Sequence, residues 1–101
     1  QLVQTNFDET NLRQANFYSA NLNGAKFYKA YLKRVHFMNA DLRGGDFRNA
    51  NLKGANLTGA NLKGANLNGA NLENATVTDE QLESAETNWK TIFPDGKRRI
   101  W

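Results

Sequence analysis

A register of five residues runs through this chain without a slip. From Leu2 onward each fifth position is Leu, Phe or Val: Leu2, Phe7, Leu12, Phe17, Leu22, Phe27, Leu32, Phe37, Leu42, Phe47, Leu52, Leu57, Leu62, Leu67, Leu72, Val77 and Leu82. Two residues before each of these centres stands a small residue. Of the 15 such positions from Thr5 to Ala75, 11 are Ala, and the others are Thr5, Thr10, Val35 and Gly45. The residue directly before the centre is Asn at 9 of the 14 positions from Asn6 to Asn71, with Asp41 and Asp46 as near equivalents. Gly recurs two residues after the centre, at Gly24, Gly44, Gly54, Gly59, Gly64 and Gly69.

Neither standard element accommodates this period. Five residues turn an α-helix through about 500°, so an apolar stripe would drift by about 140° at each repeat. A strand would send successive centres to opposite faces. The pattern requires a chain that makes a similar bend every five residues, turning one large and one small side chain inward each time. Asn and Gly at fixed offsets supply that bend, because both tolerate turn and left-handed conformations.

The run ANLKGANLTGANLKGANLNGANLEN over residues 50–74 resembles the pentapeptide-repeat family, whose consensus reads A-[D/N]-[L/F]-x-G. The likeness covers residues 1–77 and implies an all-β solenoid: a right-handed quadrilateral β-helix of about four coils, four pentapeptides to a coil. Residues twenty apart would then share one wall, separated by about 4.7–4.9 Å. Sorting the centres by twenty is consistent with a square section. Phe7, Phe27, Phe47 and Leu67 fall on one wall and Phe17, Phe37, Leu57 and Val77 on the opposite one, and the other two walls carry only leucine. Long, regular, small members of this family are abundant in cyanobacteria and plant plastids, and this chain looks similar to them.

The repeat signature ends at Val77, so residues 78–101 are read as a separate C-terminal helix and tail that cap the last coil. Thr78 and Gln81 have the spacing of a capping box. Asp79, Glu80 and Glu83 lie in the first turns, where the helix dipole favours negative charge. A short helix over 78–86 follows, although Leu82 also keeps the five-residue register, so a fraction of a fifth coil is the competing assignment. Trp89, Ile92 and Phe93 are expected to fold back over the exposed coil, with Pro94-Asp95-Gly96 as a turn. A W-x-x-x-x-P-x-G tail of this kind is common in the family.

The residue inventory argues against an enzyme. The 101 residues include no Cys, one His (His36) and two Ser (Ser19 and Ser84). Thiol chemistry is therefore absent, and a metal site lacks a second histidine. The glycines are periodic turn residues, not a phosphate-binding fingerprint. No cofactor is expected. No apolar run approaches the roughly 18 residues of a membrane span. The first residue is Gln1, which leaves the compartment open between the cytoplasm and, after removal of an upstream segment, the periplasm or thylakoid lumen.

The outward positions offer two candidate surfaces. Tyr18 and Met38 are twenty apart and fall on one wall, with His36 beside them and Tyr28 and Tyr31 at the next corners; Tyr and Met are favoured in interface cores. On one wall the residues after the centres are Arg13, Lys33, Lys53 and Glu73, with Arg34 beside Lys33, a basic ladder that reads as a solvated wall or as a docking strip for an acidic partner. The asparagines Asn51, Asn56, Asn61, Asn66 and Asn71 recur on all four walls and are assigned to turn structure.

The reading that follows is a non-enzymatic structural or protein–protein interaction module. One alternative is a DNA-mimic protein that engages DNA gyrase, as some members of the family do. That mode wants an acidic surface, whereas residues 1–77 carry nine basic and five acidic residues. The other alternative is weak nucleic-acid binding through the basic ladder, for which a net +3 is a small phosphate term. At the N-terminus the register is already running at Leu2, and an uncovered first coil would expose a pairing edge. Either a segment upstream of Gln1 covers it, or two chains stack as a homodimer through their N-terminal coils.

Overall fold

In the computed structural model, residues 4–99 are described. Leu2 and Gln1, named above as the first core position and the open end, lie outside the described residues. Parallel bridges join residues twenty apart from one coil to the next, from Asn6–Lys26 through Tyr31–Asn51 and His36–Asn56 to Asn66–Glu86. Each wall contributes one bridged residue per rung, so the β structure consists of isolated bridges and not of continuous strands. A turn every five residues leaves no length for more.

Three backbone ladders carry the stack, one of them from the corner amide two residues after each centre to the coil above, as in Lys29 to the Arg48 carbonyl at 3.0 Å. The amide of each centre donates up to the coil above, as in Phe27 to the Asp46 carbonyl at 2.7 Å and Leu32 to Asn51 at 2.8 Å. The amide before each centre donates down, as in Asn51 to Ala30 at 3.0 Å. A further bond closes each corner: the amide three residues on donates to the carbonyl of the centre, as in Ala30 to Phe27 at 3.0 Å. All fifteen corner residues from Gln4 to Asn74 have φ between 55° and 75°. Positive φ at the third residue of a hydrogen-bonded turn defines type II, which explains the periodic glycine. The preceding asparagines brace the same corners, since Asn56 Oδ1 accepts from the Thr58 amide at 3.1 Å and Asn66 Oδ1 from the Asn68 amide at 2.9 Å.

The interior is as the register requires. Every centre from Leu22 to Leu72 is buried, as are the small residues from Ala25 to Ala75, including Val35 and Gly45. Phe7, Leu12, Phe17 and Val77 are only half-buried. The phenylalanines stack in two columns, with Phe27 5.1 Å from Phe7 and 4.9 Å from Phe47, and Phe17 5.4 Å from Phe37. Across the interior the columns meet edge to face, Phe27 to Phe37 at 5.7 Å and 77°, the geometry that aromatic quadrupoles favour.

Beyond Val77 the fifth rung departs from the rule one wall at a time. Helix α1 (Asp79–Ser84) has Thr78 as N-cap, and the capping box with Gln81 is complete. It is shorter than the 78–86 read from sequence. It also holds Leu82 buried, so the residue is both helical and at its register position. The helix turns the Gln81 backbone amide toward Thr78 Oγ1, and the Gln81 side chain takes over the ladder, its Nε2 donating to the carbonyls of Leu57 and Ala60 at 2.7 and 2.8 Å. Glu86 is back in register, but Ile92 bridges Asn71 at a spacing of twenty-one. The extra residue is absorbed in the Asn88–Thr91 turn.

That turn corrects one expectation. Trp89 is 61% exposed and does not fold over the coil, because it occupies an outward corner of the turn, with Lys90 Nζ 5.4 Å from its ring. Thr91 goes inward instead and is fully buried, its hydroxyl donating to the Leu67 carbonyl at 2.8 Å. Phe93 is buried as expected, with the Arg99 guanidinium 4.4 Å above its ring.

Candidate interaction surface

With the centres and small residues from Leu22 to Ala75 turned inward, the outward chemistry rests on three positions per repeat: the residue before the centre and the two corner residues after it. Coil stacking aligns these in columns. Tyr18 lies 59% exposed at a corner of the wall built on Phe17 and Phe37. One coil up, Met38 occupies the equivalent corner, and the Ser19 amide donates to its carbonyl at 2.9 Å. His36 is exposed on the same wall, paired through the backbone with Asn16. Tyr18, Met38 and His36 are thus brought together on one wall.

Tyr28 and Tyr31 are not. Tyr28 sits on the opposite wall, half-buried, its ring flanked by Lys29 Nζ at 5.4 Å and the Arg48 guanidinium at 5.0 Å. Tyr31 lies on a third wall, 40% exposed, with the Arg13 guanidinium 5.3 Å away. Both rings already hold cations of this chain, and the spacing of twenty that groups Tyr18 with Met38 also separates them from Tyr28 and Tyr31.

The basic ladder is interrupted. Lys53 pairs with Glu73 at 3.6 Å, and Arg13 lies against Tyr31, which leaves Lys33 and Arg34 without an ion-pair partner among the described residues. These two, with Arg13, Asn11 and Gln14, line an open depression of about 570 Å³.

Two arginines elsewhere are neutralised by neighbouring aspartates. Arg43 binds Asp41 through Nε and Nη2 at 2.9 and 2.7 Å, and Arg48 binds Asp46 in the same bidentate way at 2.8 and 2.7 Å. The Arg43 guanidinium holds the Asp41 carboxyl down at about 2, and Arg48 and Arg99 lower Asp46 and Asp95 in turn. Asp-x-Arg beginning at the position before the centre is the sequence signal for the first two pairs. Among the described residues no group of three or more His, Asp or Glu side chains is arranged to hold a metal ion. None of their helices is long and apolar enough to cross a membrane.

A family model of pentapeptide repeats, in eight copies, matches residues 1–34 and 36–74. Among solved structures, a pentapeptide repeat protein from the Arabidopsis thaliana thylakoid lumen is 30% identical, with a TM-score of 0.74 over 90% of this chain and 59% of its own. Rfr23, a pentapeptide repeat protein from the cyanobacterium Cyanothece 51142, is 32% identical over 82% of this chain and 63% of its own, at a TM-score of 0.39. HetL from the cyanobacterium Nostoc sp. strain PCC 7120, involved in heterocyst differentiation regulation, is 27% identical over 97% of this chain and 61% of its own, at 0.40. The chain thus spans about three-fifths of the length of each. Among curated proteins none matches it.

Proposed function

This chain belongs to the pentapeptide-repeat family, and on that premise we propose that it is a non-enzymatic protein-interaction module, a rigid right-handed quadrilateral β-helix that displays side chains at fixed spacing. Helix α1, Thr91 and Phe93 close its C-terminal end in this reading. The partner-facing wall is the one that carries Tyr18, Met38 and His36. The observation behind it is the exposure of Tyr18 in a column continued by Met38, where the same column further along offers only Thr58 and Thr78. Large amphipathic and flexible apolar groups are the residue types that interface cores favour.

Affinity capture from the native source with the wild-type chain and a Tyr18→Ala/Met38→Ala variant tests this. Both side chains are outside the core, so the variant should melt like the wild type. It is expected to lose a protein that the wild type retains. Undiminished capture by the variant would move the interface to another wall.

A further inference from the structure

At the corner between the walls of Leu32 and Phe37 two adjacent cations hold no carboxylate and face a depression that has none. Arg43, Arg48, Lys53 and Arg99 each hold a carboxylate. Lys33 and Arg34 are consecutive, hold none, and line the depression described above together with Arg13. Arg34 and Gln14 also line a second open depression, of about 650 Å³, which continues round the corner to His36, Asn56 and Thr76. No Asp or Glu lines either of them among the described residues.

The backbone supports this placement. Arg34 occupies a left-handed corner, φ 59°, a conformation that costs a non-glycine residue energy and that the repeat fills with Gly54 one coil up. A Cβ on Gly54 would stand 3.2 Å from Arg34 Cγ. The stem of Arg34 therefore lies beside the bare glycine, and the residue lines both depressions.

We propose that this corner is a second docking site, for an acidic, extended segment of a partner protein, independent of the Tyr18/Met38 contact. Charge complementarity selects the occupant: two unpaired cations and a third held only by a ring face a groove with no carboxylate. A peptide laid along the axis presents alternate side chains about 6.6–6.8 Å apart, within reach of long Arg and Lys stems that stand on neighbouring rungs. Nucleic acid fits less well. Three cations neutralise few phosphates, and Tyr31, the aromatic ring beside them, is already occupied by Arg13 and offers no free stacking platform.

The test uses a fluorescein-labelled dodecapeptide of alternating Glu and Ser, followed by anisotropy against the whole chain. The matching Lys/Ser peptide and a dodecamer of oligo-dT serve as comparators. The Glu/Ser peptide is expected to bind, to weaken as salt rises, and to bind about tenfold more weakly to Lys33→Gln/Arg34→Gln. Lys63→Gln, which removes a cation from another wall, and Tyr18→Ala/Met38→Ala should leave its affinity unchanged. No binding of the Glu/Ser peptide, equal weakening by Lys63→Gln, or tighter binding of oligo-dT would overturn the proposal. Thermal melts of both charge variants show that the fold is retained. The capture experiment turns on Tyr18 and Met38 and this one on Lys33 and Arg34, so the two readings fail separately.

Discussion

Residues 4–49 fill the interior with five stacked phenylalanines, whereas residues 50–74 fill it with leucine and alanine. The corners differ as sharply. Eight of the nine non-glycine left-handed residues lie before residue 50, and four of the six periodic glycines lie after it. The centre amides keep one spacing across the change, donating nineteen residues ahead at every centre from Phe7 to Leu57, and the offset alters only where the chain meets the irregular fifth rung, as at Leu72. The register is therefore set by the inward small residue and the turn hydrogen bond, not by the identity of the large centre or of the corner residue. That tolerance lets the first half carry Tyr18, Arg34, His36 and Met38, while the second half stays close to a bare repeat. A left-handed corner costs an ordinary L-residue about 1–2 kcal/mol, so side chains such as Arg34 are held against a local preference.

The largest effect expected from breaking this comparison is in the aromatic half. Phe27→Ala should cost about 3–5 kcal/mol, because Phe27 is fully buried, stacked between Phe7 and Phe47 and edge-on to Phe17 and Phe37. Asn66→Ala, which loses a turn bond to the Asn68 amide, should cost about 1 kcal/mol. Denaturant unfolding of the two variants checks the order, and equal costs would place the inward side wrongly.

The glycine corners come next. A Cβ on Gly59 would overlap the Asn39 side chain from the coil below, whereas one on Gly44 meets nothing within 4 Å. Both have positive φ, so Gly44→Ala should show the left-handed penalty alone, about 1–2 kcal/mol. Gly59→Ala should cost about 1 kcal/mol more. The difference should vanish when Asn39→Gly is added, which a double-mutant cycle measures.

How far these features were legible in the sequence depends on the wall. The five-residue spacing placed Leu22 through Leu72 inside, and the four-sided coil that the family resemblance implies put Tyr18, Met38 and His36 on one face, because stacking by twenty leaves each column no freedom. It did not place Trp89. There the register slips by one residue between Glu86 and Ile92, and apolar character pointed to the wrong side chain: Thr91, whose hydroxyl satisfies the Leu67 carbonyl, is the one that goes inside. Gln81 was read as a capping residue only, and its second role as a substitute ladder donor required the path of the helix. The pairing of Lys53 with Glu73 was open to the same column sorting, which put Glu73 directly after Lys53 in the ladder.

Two smaller effects sharpen the comparison. Ser19→Gly, at φ 57°, should stabilise the first half by up to about 1 kcal/mol, seen as a higher melting temperature. A destabilised variant would mean that the corner is not left-handed. Acid gives the smallest effect. The Asp41 carboxyl is held at about 2 by Arg43, below its unfolded value of about 3.9. Its contribution is complete above the unfolded value and disappears as pH falls from about 4 to 2. It is small, because the pair is exposed. Asp41→Asn, the residue the repeat prefers, keeps the acceptor for the Arg43 amide and should flatten that part of the pH profile while changing stability at neutral pH little.

The twenty-residue pairing itself is open to direct observation by NMR on a chain of 11.4 kDa, through scalar couplings across hydrogen bonds. Correlations should connect the Phe27 amide to the Asp46 carbonyl, Leu32 to Asn51, Phe37 to Asn56 and Leu42 to Asn61, and in the other direction the Asn51 amide to Ala30. The same offset should hold from the phenylalanine half into the leucine half as far as Leu57, whereas Leu72, beneath the slipped fifth rung, should connect one residue further on, to Ile92. Absence of these cross-coil correlations, or a different offset at these centres, would contradict the square coil.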